Sequence, residues 1–353
     1  MRRLKLACWA LVMGLLLLLQ MAPGVWAAPA SAGATPLRVV ILTLASQKYE
    51  SIRGFRDYLM ASAGRPVDFV SYTLDGDAGR LPEMVLRLKA ERPDLVFTQT
   101  TIMATGLLGT LANRDAEHHL TNIPVVFTFV SDPVGAELAL APAEGAPIVS
   151  GGNYTGTIHV LGEDVLLRGI LAYRPIKRLV AFYDAKEESN IRRIDTLRAE
   201  VAKSPNLELE AVGLPAERTA LTPEMLTRML ENIAAKRPDI LYTIPQTALN
   251  AHLKHYYSEA ARLGLPTFCA LETHMDAGCM AGLMPPLYLL GQFTALKAMQ
   301  ILRGEVAPGV VPIETLPRFS YIINLPVVQD LKVYPTLQVM RFAHLLDRRP
   351  GAR

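Results

Sequence analysis

The chain is predicted to fold as two similar α/β lobes joined by a hinge, each a doubly wound parallel sheet. Three observations predict this. The string RPDLVFTQT (Arg92–Thr100) returns as RPDILYTIP (Arg237–Pro245). The segments around both copies also match, at offsets of about 140 to 145 residues. In each half short apolar runs alternate with amphipathic stretches, the pattern of parallel strands crossed by helices.

The elements follow in order. RVVILTLASQKYESIRGFRDYL (38–59) and RLVAFYDAKEESNIRRIDTLRAEV (178–201) each read as strand, polar loop and amphipathic helix. VDFVSY (67–72) corresponds to LELEAV (207–212). LPEMVLRLKAE places Leu81, Met84, Val85 and Leu88 at helical spacing, and TPEMLTRMLENIAAK does so with Leu226, Met229, Leu230 and Ile233. Thr222 is a natural N-cap, with Pro223 in the first turn, where its missing N–H costs nothing. A basic residue and a proline then end both helices, and a buried strand follows. IPVVFTFVSD (123–132) corresponds to LPTFCALETH (265–274). The expected domains are 36–156 plus 283–316, and 157–282 plus 317–345.

The RPD motif precedes its strand, so it belongs to the amino edge of the sheet and its role is structural. Ligands of open α/β sheets sit at the carboxyl ends of strands. The tips there are ASQKYES (45–51), TQTT (98–101) and VSDP (130–133) in lobe one, and DAKEESN (184–190), IPQT (244–247) and LETHM (271–275) in lobe two. They are rich in hydroxyls, amides and carboxylates. The candidate ligand residues are Gln47, Tyr49, Thr100, Thr101, Ser131 and Asp132 from lobe one, and Asp184, Asn190, Gln246, Thr247 and Glu272 from lobe two. Thr100 and Thr101 open a helix whose free N–H groups suit a carboxylate. Asp132 and Glu272 occupy similar places in the two repeats and suit a ligand amine. Such residues also serve as plain helix caps. Tyr49, Phe129 and Tyr183 lie near the expected cleft and suit an aromatic or apolar ligand, or the core.

Residues 1–27 read as a secretory signal peptide: a basic start, an apolar run, and small Val25 and Ala27 before the expected cut. An uncleaved anchor is the alternative. Cys8 precedes the apolar run and is too early for a lipoprotein acceptor. Cleavage removes Arg2, Arg3 and Lys5, so 33 basic residues face 33 acidic ones. A neutral mature chain argues against nucleic acid or an anionic membrane as partner. Cys269 and Cys279 remain, either as a disulfide or as two buried thiols.

Neither a nucleophile elbow, a P-loop, an H-E-x-x-H pair nor a dinucleotide fingerprint occurs, so an enzyme is not expected and no cofactor or metal is assigned. His252 and His255 read as a surface pair, and His118 and His119 as solvated loop. Asn153 to Thr155 matches a glycosylation acceptor, but GGNYTG reads better as a glycine-flexed connection between the lobes.

IPVVFTFVSDPVGAEL (123–138) followed by SGGNYTG resembles the ABC-transporter substrate-binding proteins that include the tryptophan- and tyrosine-type binders. That family's pattern is I-P-[VI]-V-F-x-x-V-S-D-P-V-x-A-x-L, then G-G-N-V-T-G, and here Tyr154 replaces the valine. Residues 287–314 and 321–333 resemble its late helix and closing strand. The resemblance implies the type I periplasmic-binding fold, with three hinge crossings and a ligand cleft. It further implies a soluble, monomeric periplasmic protein that hands a small molecule, amino-acid-like or aromatic, to a separate membrane permease. A ligand-sensing subunit reporting to a membrane receptor or sensor kinase is the alternative. Lobe two departs from the pattern: PQTALN (245–250) stands where P-E-D-N is common, and ETHMDAGCMAG (272–282) where D-E-E-S-V-x-x-G is usual.

Overall fold

The structure is a computed structural model that describes residues 35–45, 50–215, 217 and 220–347. It contains two sheets. The first is built from β1 (Leu37–Thr43), β2 (Val67–Thr73), β3 (Leu95–Gln99), β4 (Val125–Thr128), β5 (Tyr154–Ile158) and β11 (Glu314–Thr315). Its order is β11-β5-β4-β3-β1-β2, and every pairing is parallel. The second contains β6 (Arg178–Asp184), β7 (Glu208–Leu214), β8 (Ile240–Thr243), β9 (Thr267–Cys269), β10 (Ala281–Met284), β12 (Ser320–Asn324) and β13 (His344–Leu346). Its order is β13-β12-β10-β9-β8-β6-β7, with only β10–β12 antiparallel. Strands β1 to β5 and β6 to β10 thus repeat one topology, as the doubled sequence requires. The chain passes between the sheets after Ile158, after Met284 and after Thr315. The segment GGNYTG therefore leads into a strand of lobe one and is not a connection between lobes. Its Asn153 amide donates to Leu120 O and Ile123 O, which anchors the strand entry.

Strand alternation divides each lobe's core between the two faces of its sheet. In β1, Leu37, Val39 and Ile41 face one side, and Val40 and Leu42 the other. The first side is covered by α1 (Glu50–Ser62), through Phe55 and Leu59, and by α9 (Leu287–Leu302), through Ala295, Ala298 and Met299. The second is covered by α2 (Leu81–Glu91) and α3 (Thr101–Leu108). In lobe two, α4 (Glu163–Tyr173) and α5 (Glu188–Val201) cover one face, and α6 (Pro223–Ala235) and α7 (Leu253–Arg262) the other. The chain also contains α8 (Glu272–Ala277), α10 (Leu325–Leu331) and α11 (Leu337–Met340). Helices α1 and α9 approach closely because both carry glycine at the contact. A β-carbon on Gly54 would collide with Tyr288 O, and one on Gly291 with Ser51 O.

The doubled RPD is a clasp at the amino edge. Arg92 and Arg237 both adopt positive φ, 48° and 51°, where each helix ends. The aspartate then ties back to the neighbouring strand. Asp94 N–H donates to Arg38 O at 2.9 Å, and Arg38 N–H donates to Asp94 Oδ2 at 2.7 Å. Asp239 repeats this with Arg178, and its Oδ2 also accepts from Lys177 N–H at 2.7 Å. Lobe one's switch in strand order lies between β1 and β3, and lobe two's between β6 and β8. The clasp fixes these two strand pairs in register, and with them the crevices at their opposite ends.

Asp239→Ala removes both backbone bonds and is expected to lower unfolding stability by about 1–2 kcal/mol in urea denaturation, a partly exposed charge-assisted pair being worth less than a buried one. Asp94→Ala, with one bond to lose, is expected to cost less. A larger loss for Asp94→Ala would sink the clasp.

Candidate ligand-binding site

The carboxyl tips of both sheets meet beside the crossings. Lobe one's contribution begins at the end of β3. Gln99 is 2% exposed; its Nε2 donates to Ser51 Oγ at 2.8 Å, and its Oε1 has no partner among the described residues. Thr100 follows at φ 77°, ψ 152°, a region that only glycine adopts freely. Its N–H is held by Thr128 O at 3.0 Å, while its buried Oγ1 has no hydrogen-bond partner among the described residues. Thr101 then starts α3, half-buried, with its carbonyl accepting from Thr105 Oγ1. A β-branched residue held in this strained conformation marks a place where geometry is kept at the expense of stability.

The end of β4 supplies the second part. Phe129 has φ 61°, and its ring stands 4.9 Å from that of His159 in the first crossing. Burial and the nearby Arg193 push the His159 imidazole down to about 3, so it is neutral in any physiological solvent. Ser131 is half-buried. Asp132 Oδ1 accepts from Gly135 N–H at 2.8 Å, and its Oδ2 accepts from Arg192 Nε at 2.7 Å. Arg192 Nη2 approaches the same oxygen at 2.6 Å. Arg192 belongs to α5, so this ion pair joins the two lobes. Gly135 makes room for it, since a β-carbon there would strike the guanidinium. Beneath, Arg193 pairs with the buried Glu163 at 2.5 Å and reaches Tyr242 Oη at 3.3 Å.

In lobe two the polar residues divide into braces and open groups. Asn190 is a brace: its Nδ2 donates to Pro245 O at 3.0 Å and to Glu187 Oε2 at 3.1 Å, and its Oδ1 accepts from Asp184 N–H at 3.2 Å. Asp184 is buried and accepts from Lys186 N–H at 2.9 Å. Thr247 is exposed, and its N–H donates to Glu187 Oε1 at 2.6 Å. Gln246 is 4% exposed; its Nε2 makes one long bond of 3.4 Å to Phe182 O, and its Oε1 has no partner among the described residues. Glu272 is half-buried, and its Oε1 accepts from Leu287 N–H, the first amide of α9, at 3.1 Å. Burial first, and then the charges of Asp276 and Glu50, push its carboxyl above the usual range. Tyr183 packs its ring over Gly213 of the neighbouring strand and belongs to the sheet.

The structure thus brings Thr100, Thr101, Ser131, Asp132, Gln246 and Glu272 to the tips, and it uses Asp184, Asn190 and Thr247 to shape the lobe-two turn. Gln47 and Tyr49 lie outside the described residues. Sequence reasoning missed Arg192, Glu187, Gln99 and the pair Glu163–Arg193. Arg192 and Arg193 sit in an amphipathic helix, where adjacent arginines read as a solvated face. The only available signal was their place one turn into the helix after a strand tip. Cys269 and Cys279 are both buried free thiols, and among the described residues no group of side chains suits a metal ion. A recess of about 500 Å³ lies elsewhere, on lobe two, between α4 (Val165, Gly169) and Leu283, Tyr321 and Phe342. It follows the flank of the sheet and not its tips.

Thr100→Gly releases the strained backbone, worth about 1–3 kcal/mol, against about 0.5–1 kcal/mol for glycine's extra freedom when unfolded. The variant is expected to unfold about 1 kcal/mol harder in urea while any ligand held through the Thr100 hydroxyl binds more weakly. A less stable variant would remove the argument from strain.

Comparison with known proteins agrees with this geometry. A conserved domain protein from Vibrio cholerae superposes with a TM-score of 0.69 at 21% identity, covering 88% of this chain and 99% of that one. A Streptococcus pneumoniae ABC domain in complex with L-Trp gives 0.68 at 19%, again over 88% and 99%. A ligand-free, open substrate-binding protein with adhesive properties from Clostridium difficile gives 0.70 at 19%, over the same shares. At these identities the likeness establishes the fold. A search of curated proteins gives no significant match. The sequence model described as ABC transporter substrate binding protein matches residues 40–344, nearly the whole of both lobes, and the chain belongs to that family.

Proposed function

We propose that the chain is an exported solute-binding protein that captures a small molecule between its lobes and delivers it to the membrane permease of an ABC transporter. The observation that carries this reading is the Asp132–Arg192 pair, which spans the lobes at the strand tips. A contact that bridges the cleft in this way is what a hinged binder needs to hold its closed form. Polar atoms of Gln99, Thr100 and Gln246 that have no partner among the described residues stand at the same tips, where a ligand would complete their hydrogen bonds. Family membership supports the same reading.

Several finer points belong to it. Residues 1–27 act as the export signal, and the mature protein works in the periplasm as a monomer. The permease is a separate chain, and no helix of the described residues is long and apolar enough to cross a membrane. No catalysis and no cofactor take part. Because one similar structure holds L-Trp, amino-acid-like and aromatic molecules are the first ligands to try.

The test begins with refolding the mature protein, which strips carried ligand. A thermal-shift panel then holds amino acids, small carboxylates, sugars, nucleosides and thiamine-like cations. One chemical class is expected to raise the melting temperature saturably; a flat response across the panel argues against solute capture. Arg192→Ala is expected to expand the ligand-free protein in small-angle X-ray scattering and to weaken the ligand found. If neither changes, the bridging pair has no part in closure.

A further inference from the structure

Helix α4 lies over the lobe-two sheet with a gap beside it. Gly169 and Ala172 face that gap, and neither carries more than a methyl group to fill it. Tyr321 Oη donates to Gly169 O at 2.8 Å, which sets the spacing of helix and sheet. A β-carbon on Gly169 would already stand 3.0 Å from the Leu283 side chain. The result is the recess of about 500 Å³, with buried Leu283 and Tyr321 at its base and Phe319 and Phe342 as its walls. That volume suits a small molecule.

The walls leave apolar surface in water. Phe319 is 49% exposed and Phe342 61%. Covering such rings with a matching surface recovers free energy. Both rings are held by bonded segments. Phe319 leads directly into β12, and Phe342 N–H donates to Val339 O at 3.2 Å at the end of α11. Thr336 ties the start of α11 to the end of α4: its N–H donates to Tyr173 O at 2.7 Å, and its Oγ1 to Ala172 O at 3.0 Å. Phe342 stands edge-on to Tyr321, with centroids 5.9 Å apart at 82°. A flat ring entering here meets walls already in place.

The charge of the recess is one-sided. Its lining has two basic side chains, Arg168 and His344, and no carboxylate. Arg168 pairs with Asp164 at 3.0 Å, but both are exposed, and such a pair is weak. A guanidinium has five N–H groups, so Arg168 has donors to spare. Arg318 and Arg341 precede the two wall phenylalanines in the chain, both exposed and without an ion pair among the described residues. An anion is favoured in such a place, and an amine would find no carboxylate in the lining.

We infer that this recess is a second ligand site, separate from the cleft, and that it takes an aromatic carboxylate without a basic amine. The ring lies between Phe319 and Phe342, over Tyr321, and the carboxylate meets Arg168. Every lining residue belongs to lobe two, so the site stands whether or not a solute is captured between the lobes.

The test uses the absence of tryptophan from residues 28–353, since Trp9 and Trp26 both lie in the segment read as the export signal. The fluorescence of an added indole can therefore be followed against the mature protein. The probes are indole-3-propionate and its neutral amide, titrated into refolded protein. The acid is expected to bind saturably, and the amide about 10-fold or more weakly, as loss of a charge-assisted contact implies. Phe342→Ala and Arg168→Gln are each expected to weaken the acid by about 10-fold. Both side chains are largely exposed, so the melting temperature without probe is expected to hold, as is the affinity of any solute bound in the cleft. Saturable binding that both variants leave unchanged would put the probe elsewhere and overturn the inference. So would an amide that binds as tightly as the acid, and so would a flat titration. None of these results bears on capture between the lobes.

Discussion

In a parallel sheet every strand delivers its carboxyl end to the same edge, and the rest of this molecule depends on that polarity. The first sheet is parallel throughout, and the second departs from parallel only where β12 pairs with β10. Return connections therefore lie on the faces as helices, which buries both sides of each sheet. One edge becomes a place of closure, where RPD ties helix to strand with its hydrogen bonds satisfied. The other becomes a place of openings, where Gln99, Thr100, His159 and Gln246 hold buried atoms that lack hydrogen-bond partners among the described residues. Setting two such sheets side by side on three crossings points the open edges at each other.

Charge is distributed unevenly within that gap. Asp132 and Arg192 satisfy one another, and Glu163 is paired in charge with Arg193. Both pairs sit on the side of the cleft formed by β4, the first crossing and α5. Across from them Glu272 has an amide for company and no cation among the described residues. One side of the gap is thus internally neutral and suited to holding lobes together. The other keeps a field. That asymmetry separates two carboxylates that stand only two places apart in the repeat.

How much of this could be read in advance follows from the physics of each feature. The two lobes were legible because apolar periodicity and the doubled RPD are consequences of packing, and packing writes itself into many residues at once. The tip loops were legible because strand polarity predicts which ends matter. Individual roles were not. Asn190 and Gln246 are both amides at a lobe-two tip, yet one is consumed by three bonds and the other keeps a free oxygen. That difference depends on where Pro245 O and Phe182 O fall in space, which no spacing rule encodes. The positive φ of Thr100 and Phe129 was hidden for a similar reason: nothing in a threonine or a phenylalanine announces a glycine-like backbone. GGNYTG was misread as a connection because its glycines pointed to flexibility, while the anchoring bonds of Asn153 decide where the strand begins.

The partnership of α1 with α9 also reaches into how the molecule is made. Helix α1 ends at Ser62, and its covering partner does not begin until Leu287. As the chain is synthesised, the apolar face formed by Val39, Ile41, Phe55 and Phe97 has half its cover missing until nearly all of lobe two has emerged. Contacts of such long sequence separation form late. Lobe one is finished only when α9 and β11 have emerged, and lobe two only after that, with β12 and β13. A chain in that condition can still be threaded through a narrow channel, or be held by a chaperone, long after a domain with local contacts would have closed.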